Sequence, residues 1–178
     1  LSAARPCPVQ SMLSGPAASV MGALALDDHI GEKTTLLLDM GGTTTDLAFF
    51  VCGSPVLDRD GMKVEGRRTL IRSLATRSIG IGGDSLLHVE QSNTGPVLET
   101  GPVREGRALA FGGARATLLD ALNVLNSRDG MDQLAGDVAA SQKGLAELGA
   151  ILGVDADHAA EMAVDNAMAK ICAAIEGM

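Results

Sequence analysis

The sequence predicts a mixed α/β protein, a sheet with an antiparallel strand meander and flanking helices. The first half holds short, continuously apolar runs separated by Gly- and Pro-containing turns. The second half is Ala-rich with helical periodicity, and the order is helix, strands, a Gly-rich element, then helices. With 178 residues, 46% hydrophobic and 20% charged, the chain has the length for one domain with a real core and a globular composition.

Each element has a local cause. Ser14-Gly15-Pro16 starts the first helix, because serine caps and proline is tolerated in a first turn; the Ala-rich run 17–26 follows and ends near Asp27. The runs 34–40 (TTLLLDM) and 45–52 (TDLAFFVC) are β-like and read as a hairpin with a buried first strand, ended by Gly53-Ser54-Pro55. A third strand falls within 62–71, residues 78–90 (SIGIGGDSLLHVE) carry a Gly-rich loop into an apolar segment, and 96–104 look extended. Helical periodicity resumes at 116–125, 133–152 and 157–176. On the last helix His158, Glu161, Asp165 and Lys170 lie close to one face, with Met162, Ala163, Ala167, Ile171 and Ala174 away from it. That is an amphipathic packing helix with no chemistry assigned.

Fourteen basic against twenty-two acidic residues leave a formal charge of −8, which repels a phosphate backbone. With no Trp, no Tyr and three Phe, base-stacking platforms are lacking too, so no nucleic-acid partner is expected. No apolar run approaches the roughly twenty residues that span a bilayer, and the expectation is a cytoplasmic protein with no membrane partner. Cys7, Cys52 and Cys172 are odd in number and far apart, and read as buried or free thiols. His29, His88 and His158 have no paired spacing for zinc and are expected to be satisfied or exposed. The chain starts at Leu1, not Met, and is read as a fragment.

The chemistry concentrates in LDMGGTTTDL, residues 38–47. Gly41 and Gly42 allow close backbone approach and φ > 0, so that successive N–H groups form an anion nest, and Thr43, Thr44 and Thr45 add hydroxyl donors. Asp39 and Asp46 cannot bind an anion directly, but suit Mg²⁺ held between carboxylate and phosphate, usually through water. The alternative is a hairpin whose turn happens to be Gly-Gly, with threonines in strand positions they favour. No Walker sequence follows. The glycines of the loop Gly80, Gly82, Gly83, Asp84 and Ser85 let backbone approach a ligand, or else form a bulged lead-in to the segment 86–89. Arg67, Arg68, Arg72 and Arg77, the only basic concentration, read first as a solvated face and otherwise as a contact to phosphate or a partner lobe.

DMGGTTTD with its flanking strands resembles the phosphate-binding hairpin of the actin, Hsp70 and sugar-kinase superfamily. More narrowly, SGPAASVMGA (14–23), LLLDMGGTTTDLAFF and SIGIGGDS are similar in order and spacing to the hydantoinase/oxoprolinase family, in its A-type branch, with weaker similarity through GPVREGRALAFGGARATLLDALNVL. The resemblance implies an actin-like ATPase (ribonuclease H-like) fold and ATP-dependent opening of a cyclic amide of the hydantoin or oxoproline type; related members drive carboxylation by a similar activation. By position, Gly41, Gly42, Thr43 and Thr44 would hold phosphate, and Asp39, with Asp46 as a second candidate, would orient Mg²⁺ or a water. With one Asp-Gly-Gly-Thr hairpin and no adenosine motif, residues 1–178 resemble a single lobe, the one carrying the second phosphate hairpin. The implied partners are the missing lobe of the same chain and a second protein, the B-type companion with which A-type members commonly pair. Gly-Gly-Asp-Ser stands where many members of the family have a further Gly. A non-catalytic actin-like nucleotide switch or assembly module is the alternative.

Overall fold

The computed structural model describes residues 14–26, 33–58, 63–64, 67–68, 73–93 and 95–178. Cys7, His29 and Arg72 lie outside them. Two compact units result, Leu1–Asp39 with Asp46–Ser78, and Met40–Thr45 with Ile79–Met178. The strands of the hairpin therefore belong mainly to the first unit and its turn to the second.

In the first unit α1 (Ser14–Leu26) precedes a four-stranded sheet. Strands β1 (Thr35–Met40), β2 (Thr45–Val51) and β3 (Ser54–Pro55) lie in that order, and β8 (Thr76–Ile79) also pairs with β2. The buried strand is β2, not β1 as expected: Leu47, Ala48 and Phe50 are buried while the second half of β1 is exposed. The reason is position, since β2 has neighbours on both sides and, among the described residues, β1 pairs only with β2. The chain does not stop at Gly53-Ser54-Pro55 but reverses there. Cys52 and Gly53 both take positive φ (48° and 73°), the combination of a two-residue turn whose twist matches its strands, so Val51 faces Ser54 and Phe50 faces Pro55. The single strand expected within 62–71 is instead a small antiparallel pair, β5 (Lys63–Val64) with β6 (Arg67–Arg68). Likewise β4 (Leu57–Asp58) pairs with β7 (Ser73–Leu74). Val20, Ala48 and Phe50 form the core, with Ala23, Leu24, Leu37 and Leu74 packed on it.

The second unit pairs β9 (Leu87–Ser92) with β10 (Gly95–Thr100), from Gly95 opposite Ser92 to Thr100 opposite Leu87. A 3-10 turn (Leu109–Phe111), α2 (Leu118–Arg128), α3 (Val138–Leu152) and α4 (Ala156–Glu176) follow. Small side chains let these helices approach closely: Ala121, Ala159, Ala160 and Ala163 are fully buried beside Leu87, Leu98, Val124 and Leu145. A Cβ at Gly144 would sit 2.1 Å from Leu109 Cδ1, so a larger residue there obliges the end of the Leu109 side chain to move.

Helix α3 begins five residues later than its periodicity suggested. Asp137 caps it by accepting from Ala140 N at 3.1 Å, and Gly136 before it has φ 67°, outside the helical range. Asp155 caps α4 in the same way, accepting from His158 N at 2.8 Å. Two residues of the polar face of α4 make side-chain contacts with other elements. Arg128 Nη1 donates to Glu161 at 2.6 Å, and Lys170 Nζ donates to Glu99 Oε2 and to the Thr100 carbonyl, each at 2.7 Å. Among the described residues no helix is long and apolar enough to cross a membrane.

Candidate functional site

The turn Gly41–Gly42–Thr43–Thr44 is shaped by the Gly-rich loop beside it in the second unit. Gly83 N donates to the Gly41 carbonyl at 3.0 Å and Asp84 N to the Gly42 carbonyl at 2.7 Å, while Gly41 N donates to Thr44 O at 2.9 Å. These peptides are trans, so each carbonyl points opposite to the next residue's N–H. With both carbonyls fixed on the loop, the N–H groups of Gly42 and Thr43 are aimed away from it, on a stretch where Gly41, Gly42 and Thr43 are all exposed. Two consecutive donors facing out is the local requirement for holding an oxyanion.

The glycines serve this arrangement by proximity, not by the positive φ expected of them: neither Gly41, Gly42, Gly82 nor Gly83 has positive φ. A Cβ on Gly82 would lie 2.6–2.7 Å from the carbonyl carbon of Gly42 and the carbonyl oxygens of Gly41 and Gly42. One on Gly42 would lie 2.9 Å from Asp84 Oδ2. The turn and the loop are therefore in backbone-to-backbone contact that side chains would push apart.

The remaining predicted residues divide by exposure. Thr45 is fully buried, and its hydroxyl donates to the Ile81 carbonyl at 2.7 Å. Ser85 is buried, accepts from Gly82 N at 2.9 Å and closes the loop by donating its own N–H to Gly82 O at 2.9 Å. Asp84 Oδ2 is paired with Arg104 Nη2 at 2.6 Å. Arg104 was absent from the sequence-based site; its only signal was its place in GPVREGR. Its loop is clasped by Leu86, whose N–H donates to Val103 O and whose carbonyl accepts from Gly101 N, both at 2.9 Å.

In the first unit Asp39 is exposed and accepts from the Ser19 hydroxyl at 2.5 Å, which joins the SGPAASV helix to the hairpin. Asp46 is half-buried, and its Oδ1 is buried with no hydrogen-bond partner. A carboxylate oxygen taken from water without a donor is costly, and a cation or its bound water removes the cost. The described residues contain no cluster of three or more metal-ligating side chains. Mg²⁺ takes few protein ligands, and the buried, unpartnered Oδ1 of Asp46 has the donor chemistry such an ion requires.

Other expectations resolve differently. His88 is not fully satisfied: Nε2 lies 3.0 Å from Glu90 Oε1, but Nδ1 is buried and unpartnered. Cys52 and Cys172 are free thiols, as expected, and both are exposed. Cavities of about 420 and 210 Å³ line α3, sharing Leu109, Gly144 and Glu147, and none of the predicted site residues lines either.

A mixed α/β chain with antiparallel sheets, helices and a Gly-Gly turn locked by a second Gly-rich loop can be set beside known proteins. The family model described as hydantoinase/oxoprolinase matches residues 1–178, and the chain belongs to that family. It is 32% identical over 123 residues to the acetophenone carboxylase gamma subunit of Aromatoleum aromaticum, covering 62% of this chain and 16% of that protein. Among solved structures, the nucleotide-free structure of acetone carboxylase, from work on ATP-dependent acetone carboxylation, shares the fold with a TM-score of 0.66 at 24% identity. That match covers 84% of this chain and 22% of the other. The chain thus spans less than a quarter of either relative.

Proposed function

We propose that this chain is one lobe of a longer, ATP-dependent enzyme, to which it supplies a nucleotide-phosphate site, and that the full-length protein activates a carbonyl oxygen of a small molecule by phosphorylation. The observation that carries this is the pair of outward N–H donors at Gly42 and Thr43, held by Gly83 and Asp84. In this reading those N–H groups and the hydroxyls of Thr43 and Thr44 hold phosphate oxygens. Thr45 and Ser85 act through the backbone they fix. Asp39 and Asp46 orient Mg²⁺ or a water. Bound ATP supplies the phosphoryl group that makes the substrate oxygen a good leaving group.

The substrate we assign is a cyclic amide of the hydantoin or oxoproline type, on the strength of family membership. A ketone carboxylase is the second reading, favoured by the names of both relatives. The gamma-subunit name of one relative supports a further protein chain in the assembly, and the ATP-dependent reaction named for the other supports a cytoplasmic location.

Titration of ATP, with and without Mg²⁺, into the full-length protein and its Asp39→Ala variant tests the site. Metal-dependent binding that is lost in the variant is expected; no binding in a folded wild-type protein would sink the proposal. ATP hydrolysis stimulated by a cyclic amide supports ring opening, bicarbonate-dependent consumption of a ketone supports carboxylation, and an ATPase rate indifferent to every substrate points to a switch module.

A further inference from the structure

Asp84 places a carboxylate against the turn that is read above as holding phosphate, with Oδ2 only 2.9 Å from where a Cβ of Gly42 would stand. Alone, that charge opposes an anion at the same turn. It is not alone, because Arg104 Nη2 sits 2.6 Å from that same oxygen. The carboxylate is mostly enclosed, its side chain 18% exposed, whereas the Arg104 side chain is 48% exposed. A guanidinium carries five N–H donors in a planar fork, and an ion pair through Nη2 leaves others for a second acceptor. Its backbone is fixed too, since Leu86 bonds Val103 and Gly101 on either side of Pro102.

We propose that Arg104 is an oxyanion-reading residue: Asp84 holds it beside the Gly42–Thr43 turn, and its free donors bind a phosphate group seated on the Gly42 and Thr43 N–H groups. Asp84 thereby serves as a positioning residue and Arg104 as the cation of the site. The inference rests on the phosphate-binding reading of the turn and adds to it a residue twenty positions from the Gly-rich loop.

The test is calorimetric titration of the full-length protein with ATP·Mg²⁺ and, separately, with adenosine, for wild type, Arg104→Ala and Arg104→Lys, with thermal unfolding as a check of the fold. Arg104→Ala is expected to weaken ATP·Mg²⁺ binding by about tenfold to a hundredfold, the scale of a lost charge-assisted hydrogen bond, and to leave adenosine binding unchanged. Arg104→Lys keeps the charge without the fork and recovers part of the loss. It also carries the test if the alanine variant does not fold. Unchanged ATP affinity in both variants would overturn the inference while wild-type binding upholds the phosphate reading. An equal loss for ATP and adenosine would overturn it as well, by giving Arg104 a merely structural role. Wild-type protein that binds no nucleotide would remove the phosphate reading and the inference together.

Discussion

Asp120 is a fully buried carboxylate that stays in place because five donors meet it. Oδ2 accepts from Leu109 N, Thr117 N and the Thr117 hydroxyl, and Oδ1 from Ala110 N and the Ser141 hydroxyl, at 2.7–3.1 Å. Asp120→Ala strands those donors in the interior, and we expect a loss of about 3 kcal/mol or more, read as a lower urea midpoint. Glycine substitutions offer a contrast on the same scale. Gly82→Ala drives a methyl into the Gly41 and Gly42 backbone and should cost about 1–3 kcal/mol. Gly41→Ala meets nothing nearer than Thr44 O at 3.6 Å, so its effect on the unfolding midpoint should stay within about 0.5 kcal/mol. The Thr117-x-x-Asp120 spacing at the start of α2 marks Asp120 as a capping residue, but nothing local marks its other partners or the pairing of Arg104. Those partners lie up to 21 and 20 positions away, and side-chain pairing over that distance leaves no local periodicity to read.

At the level of elements, the hairpin, α1 and α4 were legible because each rests on a local device: an apolar run, a Ser-Gly-Pro start, a 3.6-residue stripe. The burial order of β1 and β2 was not, since it depends on which strand gains a second neighbour. The contact between β10 and α4 was also hidden, although it joins Glu99 to Lys170, and Thr100 to both Asn166 and the Ala163 carbonyl. The hydrogen bond from Lys170 holds the Glu99 carboxyl below its ordinary value, against the opposing effect of burial. A carboxyl lowered by folding contributes stability that is fully present above its ordinary value and is lost as the pH falls below that value, down through the lowered one. Lys170→Met should therefore cost about 1 kcal/mol at pH 7 and much less at pH 3, a difference that urea titrations at the two pH values will show.

For the whole chain, the balance of 14 basic and 22 acidic residues gives an isoelectric point near 4.7. Light scattering should peak near that pH, where self-repulsion vanishes, and decline below it as the chain turns positive, while the loss at Glu99 continues. Scattering that keeps rising toward pH 3, with no maximum near the isoelectric point, would instead mean unfolding governs association. The mixed α/β class was readable at this scale because composition and order of elements suffice for it, whereas the division of the hairpin between two units was not, since contact density has no signature in the order of residues. The backbone contact between Gly82 and the Gly41–Gly42 carbonyls has one more consequence, for anyone recombining members of the family. The hairpin and the loop forty residues on are a single transplantable part: a chimera that takes 38–47 from one parent must take 80–86 from the same parent, or at least retain Gly82, because a side chain there would shut one parent's turn out of the other's loop.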